Sequence, residues 1–287
     1  MQTLSALAPA KVNLNLHIVG KRGDGYHLLD SLVVFSNFGD ELSICPHSEA
    51  RYTIADIYGQ NLTMDEDNLV VKAHKLLEEH IGQKLDAAIH LKKNLPIAAG
   101  IGGGSSDAAT TLKLLNDFFA LNISQSKLME LGLSLGADVP VCIHGKSCFM
   151  SGIGEAIDAI DFLPPLFIGL IKPKAGVSTK EIFKTLQPPY SQGLSHSKSF
   201  DITSLSDLLK NSHNDLQKYA ILQVKEIQHI LEYLKGIYTN FPQAFIHSQM
   251  SGSGSTCYII SDDNQAIEQA FMGLSHHDYW MKSGEIL

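Results

Sequence analysis

Pro96-Ile97-Ala98-Ala99-Gly100-Ile101-Gly102-Gly103-Gly104-Ser105-Ser106-Asp107-Ala108-Ala109 is a loop almost without side-chain bulk that runs into a helix. Ser105, Ser106 and Asp107 are helix-capping residue types, and the apolar spacing of Ala108, Leu112, Leu115 and Phe119 predicts the helix that follows. A glycine loop ending in a helix start aims several backbone N–H groups at one point, with the positive end of the helix dipole behind them. Such a point binds anions, most often phosphate. The plainer alternative is a flexible loop entering an ordinary helix, but four glycines and three capping residues exceed what a turn requires.

Two better-known phosphate loops do not fit. A Walker loop ends in Gly-Lys-Ser/Thr, and Gly104-Ser105-Ser106 has no lysine there. A dinucleotide fingerprint needs glycines at its first, third and sixth places, and counting from Gly100 the sixth place is Ser105.

The 287 residues suit two domains better than one core. Hydrophobic content of 44% with 18% charged residues describes a globular, soluble chain. No apolar run approaches the ~20 residues of a membrane span, and Met1 to Pro9 shows no export signal, so a cytoplasmic protein without membrane partners is expected. Cys45, Cys142, Cys148 and Cys257 lack metal or redox spacing and are read as reduced thiols. A net charge of −8 argues against nucleic acid as a partner. It also requires that any phosphate be held by local amides, a helix end and a few lysines.

Along the chain, Ala8 to Ile18 alternates strictly, with Val12, Leu14, Leu16 and Ile18 on one side and Lys11, Asn13, Asn15 and His17 on the other. This is a half-buried strand whose polar face is either solvated or functional; Lys and Asn are poor strand formers, so three in line need a reason. Gly20 to Gly25 is a turn ending in Tyr26-His27, either a planar-ligand contact or a loop anchor. Leu32–Phe35 and Glu41–Ile44 read as two strands, Asp67-Asn68 as the cap of a helix over Leu69, Ala73, Leu76, Leu77 and Ile81, and Ala87 to Leu91 as a strand. Leu128–Leu135 is a short helix, and Asp138 before Val139-Pro140 carries the signal of an N-cap. Strands are expected at Ser147–Met150, Leu166–Ile171, Cys257–Ile260 and Tyr279–Met281. Helices are expected from Ser178, over Gln217–Gly236 and over Asn264–Leu274. Pro188 to Ser199 is polar, rich in Ser, Pro and Gly, and expected to be mobile.

Three stretches together resemble the signature motifs of the GHMP kinases: Ala8-Pro9-Ala10-Lys11-Val12-Asn13-Leu14, the loop from Pro96, and Met250-Ser251-Gly252-Ser253-Gly254-Ser255. Gly23-Asp24-Gly25-Tyr26-His27 and Leu135-Gly136-Ala137-Asp138-Val139-Pro140 narrow the resemblance to the branch acting on a cytidylylated alcohol. It implies an α/β (α+β) fold of two domains, 1–161 and 162–287, with ATP and substrate in the cleft between them. The implied reaction moves the γ-phosphoryl of ATP to the 2-hydroxyl of a methylerythritol unit carried on cytidine diphosphate. The products are its 2-phosphate and ADP, within the non-mevalonate isoprenoid pathway. The implied partner is that small molecule alone, handled by a monomer or homodimer.

Residue by residue, the resemblance makes Asp138 the catalytic aspartate and Lys11 the lysine beside it. Pro96, Gly100, Gly102, Gly103, Gly104, Ser105 and Ser106 become the phosphate loop, with Asn68 and Lys93 at adenine or ribose. Asn13 and Gly252 become contacts to the acceptor, Tyr26 and His27 the cytidine site, and Phe183 its opposing aromatic with Thr179 nearby. Ser255 departs from the usual Ala or Gly of the third loop. Mg²⁺ would come with the nucleotide, Ser106 being a possible contact, since no acidic ligand matches. The alternatives are another GHMP kinase, acting on homoserine or mevalonate, or a nucleotide-binding regulator, for which Lys11 and Asp138 would serve no purpose.

Overall fold

The computed structural model describes residues 2–46, 51–59 and 62–287. In chain order the elements are β1 (Leu4–Asn13), β2 (His17–Lys21), β3 (His27–Pro46), β4 (Tyr52–Asp56), α1 (Leu69–Ile81), β5 (Ala87–Lys93), α2 (Gly103–Phe118), α3 (Gln125–Leu133), α4 (Val139–His144), β6 (Cys148–Gly152) and β7 (Ala156–Ala159). There follow β8 (Phe167–Lys172), α5 (Thr179–Thr185), α6 (Ile202–Lys210), α7 (Gln217–Gln223), α8 (Glu226–Asn240), β9 (Ile246–Met250), β10 (Cys257–Ser261), α9 (Asn264–Leu274) and β11 (Trp280–Glu285). The fold is mixed α/β, as expected.

The chain forms two compact units, each assembled from three stretches. The first holds residues 1–11, 38–97 and 102–145; the second holds 12–37, 98–101 and 146–287. In the first, β4 runs parallel to β5, and β5 pairs antiparallel with Glu41–Pro46 of β3. Helices α1 and α2 pack together, as do α3 and α4, and α2 packs on α4. The caps work as their residue types predict: Asn68 Oδ1 accepts from the Val70 N–H at 2.9 Å, and Ser124 Oγ from the Lys127 N–H.

In the second unit, β2 and β6 pair antiparallel with the first half of β3, and β7 pairs with β6. A second, fully antiparallel sheet has the order β11-β8-β10-β9. Ile168, Leu170 and Ile171 of β8 are all buried, which is why this strand reads as a continuous apolar run. Ile227, Ile230, Leu234, Ile267 and Leu274 from α8 and α9 join Ile171 and Ile259 in one core. Among the described residues no helix is long and apolar enough to cross a membrane.

Several elements differ from the sequence expectation. The alternating strand from Ala8 breaks after Asn13, where Asn15 turns its amide to partners distant in sequence: its Oδ1 accepts from the Leu32 N–H at 2.7 Å and its Nδ2 donates to Ser212 Oγ. Its polar side is not solvated; Lys11, Asn13, Asn15 and His17 are all buried. The two strands expected between Leu32 and Ile44 are one 20-residue strand, β3. The helix expected over 217–236 is two, parted at Val224, whose backbone is extended and whose side chain is buried. Sequence reading missed β4, β7, β9 and α6, although Asp201 and Ser204 form a capping box that announces α6. The segment 188–199, expected to be mobile, is fastened by backbone bonds from Ser191 N–H to Ile18 O at 2.9 Å and from Asp161 N–H to Lys198 O at 2.7 Å.

Candidate active site

In the first unit the glycine loop enters α2, but the helix already begins at Gly103, so Ser105, Ser106 and Asp107 lie within it and do not cap it. Gly102 occupies the N-cap with φ 63°, a left-handed conformation that glycine adopts without strain, and no side chain caps the helix. The leading amides of a 16-residue helix thus keep their donors for a ligand. A methyl group at Gly102 would lie 3.0 Å from Lys11 Cβ, so the lysine is packed against this helix start. Ser106 is 1% exposed, and its Oγ finds no hydrogen-bond partner among the described residues. A buried hydroxyl without a partner is costly in an apoprotein unless a ligand completes it.

Lys11 Nζ donates to Asp138 Oδ2 at 2.9 Å. The ammonium end is buried, while the aspartate side chain is 36% exposed. Asp138 does stand at the N-cap of α4, but its backbone is helical and its side chain makes no capping bond. The carboxylate is therefore committed to Lys11 on one side and open to an incoming group on the other.

Lys93 lies at the foot of the same loop, 3.6 Å from where a Gly103 methyl would stand. It is 3% exposed, and its ammonium bonds Asp40 and, at 2.8 Å, Asp107. Burial pulls its pKa down, but Asp107 and Asp40 outweigh this and raise it. Burial likewise lifts the Asp107 carboxyl above the usual carboxylate range, against the pull of Lys93 and with Asp40 adding to the rise. Asp40 also accepts the N–H groups of Asn94 and Leu95, fixing the chain that leads into the loop. Sequence reading placed Lys93 in the site but neither carboxylate, Asp107 being read only as a helix-capping residue; nothing in local spacing joins 40, 93 and 107. Asn68 caps α1 and donates to Thr63 O. Leu69, the next residue, would touch a methyl at Gly104 at 3.4 Å, so the starts of α1 and α2 adjoin. Pro96 is half-buried in the turn leading into the loop.

The second unit collects pieces of all three motifs. The Asn13 N–H donates to Ser251 Oγ at 3.1 Å, and Ser251 Oγ donates to Gly100 O at 3.0 Å. Gly100 has φ 72°, and a methyl there would lie 2.6 Å from Gly254 O and 2.7 Å from Ser251 O. Only glycine lets the loop after β9 approach so closely. Gly252 sits 3.4 Å, at its own would-be methyl, from Asn13 Oδ1. Asn13 Nδ2 donates to Ser31 Oγ at 2.7 Å. Ser251, absent from the sequence-derived site, ties the motifs together. Ser255, the departure in the third loop, donates to Ala175 O at 2.6 Å. Thr179 and Ser253 hydroxyls bond each other at 2.6 Å.

Tyr26 is 59% exposed, whereas His27 is 8% exposed with its ring 5.4 Å from Phe183. Burial, then Lys21, lowers the His27 pKa, which keeps the imidazole neutral near neutral pH. Its Nε2 has no hydrogen-bond partner among the described residues. A neutral imidazole with one open nitrogen, walled by an aromatic ring, suits a planar heterocycle that offers a polar edge.

An uncapped glycine-rich helix start, a buried lysine paired with a half-exposed aspartate, and a separate aromatic pocket together define a small-molecule phosphotransferase. Comparison with known proteins agrees. The GHMP kinases N terminal domain matches residues 68–146 and the GHMP kinases C terminal domain matches 196–277. The chain is 38% identical over 273 residues to the 4-diphosphocytidyl-2-C-methyl-D-erythritol kinase of Brucella abortus biovar 1 (strain 9-941), covering 93% of this chain and 89% of that one. It is 39% identical over 282 residues to the same-named kinase of Rhizobium etli (strain CIAT 652), covering 97% and 93%. The crystal structure of a 4-(cytidine 5'-diphospho)-2C-methyl-D-erythritol kinase superposes with a TM-score of 0.77 at 27% identity, covering 99% of each chain. A homoserine kinase from Cytophaga hutchinsonii shares the fold, with a TM-score of 0.70 at 16% identity over 100% of this chain and 95% of that one. The chain belongs to the GHMP kinases, and within them to the 4-diphosphocytidyl-2-C-methyl-D-erythritol kinases.

Proposed function

We propose that this kinase transfers the γ-phosphoryl of ATP to the 2-hydroxyl of 4-diphosphocytidyl-2-C-methyl-D-erythritol, giving the 2-phosphate and ADP in the non-mevalonate route to isoprenoid precursors, in the cytoplasm. Like other GHMP kinases it is ATP-dependent. The observation that carries the reading is the placement of Lys11 against both Asp138 and the bare start of α2.

Phosphoryl transfer is mostly positioning and charge stabilisation. In this reading the amides of Gly102 to Ser106 hold the phosphate oxygens. Asp138, steadied by Lys11, orients the acceptor hydroxyl and takes its proton. Lys11 then faces the negative charge that gathers on the transferring group. Among the described residues no group of three or more His, Cys, Asp or Glu side chains could hold a metal ion. The unpartnered Ser106 Oγ is nevertheless a hard oxygen donor of the kind Mg²⁺ accepts. Mg²⁺ arriving with ATP would neutralise phosphate charge there.

The acceptor's pyrimidine is held at Tyr26, His27 and Phe183, with Thr179 nearby, and its alcohol end by Asn13 and Gly252. Lys93 with Asp107 and Asp40 sets the loop, and Asn68 stands by the nucleoside. The division 1–161 and 162–287 serves as the domain boundary in sequence. A panel of acceptors with ATP tests the proposal. ADP should form with the cytidylylated alcohol and not with homoserine or mevalonate. Turnover of either of those at comparable kcat/KM would sink it, as would ATP hydrolysis indifferent to acceptor.

A further inference from the structure

Residues 188–199 form a strap whose fastenings all lie in the second unit. After Ser191, His17 Nδ1–H donates to Gln192 O at 2.8 Å, and the Leu194 N–H donates to Asp30 Oδ2 at 2.7 Å. His196 Nε2 bonds Asp30 Oδ1 at 2.9 Å, and its ring stacks on Phe149 with centroids 4.2 Å apart. Gly193 lies so near Asp30 that a methyl there would stand 3.3 Å from Oδ2. Asp30 is itself 7% exposed, so the strap caps a buried carboxylate and is thereby held in one place.

Immediately before the first fastening stands Tyr190. Its ring meets His27 edge-on, with centroids 6.3 Å apart and an interplanar angle of 80°, while Phe183 covers the imidazole from another direction at 40°. Tyr190 also packs on the core beneath, alongside Phe183. His27 Nε2 is buried and has no hydrogen-bond partner among the described residues. An imidazole ring free to turn about its side-chain bonds would aim that atom nowhere in particular; two aromatic neighbours at different angles fix it.

We propose that Tyr190, carried by this strap, is a specificity-determining residue: its ring edge sets the plane of His27 so that Nε2 meets the polar edge of the pyrimidine. This rests on the pyrimidine reading of the pocket. Tyr190 acts through His27 and is a positioning residue. The strap therefore contributes to recognition through its attachment at Asp30, on the same strand as His27.

Steady-state kinetics of the full chain test this. Tyr190→Leu keeps an apolar contact with the core but removes the ring. It should raise KM for the cytidylylated alcohol about three- to tenfold, the worth of one aromatic edge contact, with KM for ATP and kcat changed less than about twofold. Tyr190→Phe should recover most of the loss, since it restores the ring that meets the imidazole. His196→Ala, which unfastens the strap, should reproduce Tyr190→Leu, and both should lower the preference for the cytidine substrate over its uridine analogue. An unchanged KM in Tyr190→Leu overturns the proposal, as does a joint fall in kcat and affinity for both substrates that Tyr190→Phe fails to rescue. His27→Ala separates the two levels. If it raises KM while Tyr190→Leu does not, Tyr190 alone is removed; if His27→Ala is also silent, the pyrimidine pocket itself is misassigned.

Discussion

Lys11 Nζ and Asp138 Oδ2 meet at 2.9 Å although 127 residues separate them, one at the buried end of β1 and the other at the start of α4. The pair is asymmetric in exposure: the ammonium is enclosed and the carboxylate faces outward on one side. An ion pair whose cation is buried holds the carboxylate's orientation far better than a fully exposed pair would. The Lys11 ammonium therefore fixes where the aspartate points, and the helix start beside it fixes where phosphate would lie.

Asp138→Asn keeps the shape and hydrogen-bonding reach of the side chain but removes its charge and proton affinity. Turnover should fall by about 10²–10⁴-fold. Affinity for ATP, measured by equilibrium titration of the variant, should stay close to that of the parent. Near-normal kcat would take Asp138 out of the mechanism.

Gly102→Ala tests the loop without touching charge. The residue sits at φ 63°, and its new methyl would meet Lys11 Cβ at 3.0 Å and Cε at 3.2 Å. Left-handed backbone costs an alanine about 1–2 kcal/mol. The contact further displaces either the lysine or the first turn of α2. The melting temperature should drop by about 2–5 °C, with a rise in KM for ATP and a fall in kcat. A variant with parental kinetics for ATP would show that the helix start does not hold the phosphates.

Tyr26→Ala probes the exposed side of the aromatic pocket. Stacking of a base on an aromatic ring contributes about 1–3 kcal/mol. KM for the cytidylylated alcohol should therefore rise at least about fivefold, with KM for ATP unaffected. An unchanged acceptor KM would assign Tyr26 to the turn rather than to the ligand; its ring already has the Arg22 guanidinium 6.0 Å from its centroid.

Stability against acid should depend on Glu78, far from the motifs in sequence. Burial pushes its carboxyl up, but Lys84, the Leu85 N–H and Arg51 together outweigh that and bring it from the usual 4.5 to about 2. Lys84 Nζ donates to it at 2.9 Å, the Leu85 N–H at 3.0 Å and Arg51 Nη2 at 2.5 Å. A depressed folded-state value means that the stabilisation is complete above about pH 4.5 and fades as pH falls toward 2. Glu78→Gln should melt below the parent at neutral pH, and the gap should narrow as acid is added. A gap that stays constant through that window would refute the assignment.

Local chemistry was legible in the sequence wherever one or two turns of chain suffice. Asn68 and Ser178 accept from the first turn of the helices they are predicted to open, as short polar side chains do, and Asp201 carries the same signal ahead of α6, which sequence reading missed. The glycine loop and the helix after it were visible for the same reason. The fate of Lys11, Asn13, Asn15 and His17 was not: alternation fixes which side of a strand a residue occupies, but not whether that side meets water or another element. The sequence likewise gave no sign of a break at Val224, where neither Gly nor Pro interrupts the helical spacing.

By itself, then, the sequence determined the glycine-built loop that enters α2, the side-chain caps of α1 and α5 and the set of groups available for phosphate chemistry, because these depend on residues a few positions apart. Tertiary structure alone decided that Lys11 finds Asp138, that Lys93 is enclosed by Asp40 and Asp107, and that a polar strap rich in serine is fastened at Asp30 and brings Tyr190 to His27. Each of those contacts joins distant stretches. Which partner a buried charge or ring receives depends on which surfaces the packed core brings together, and no local spacing encodes that.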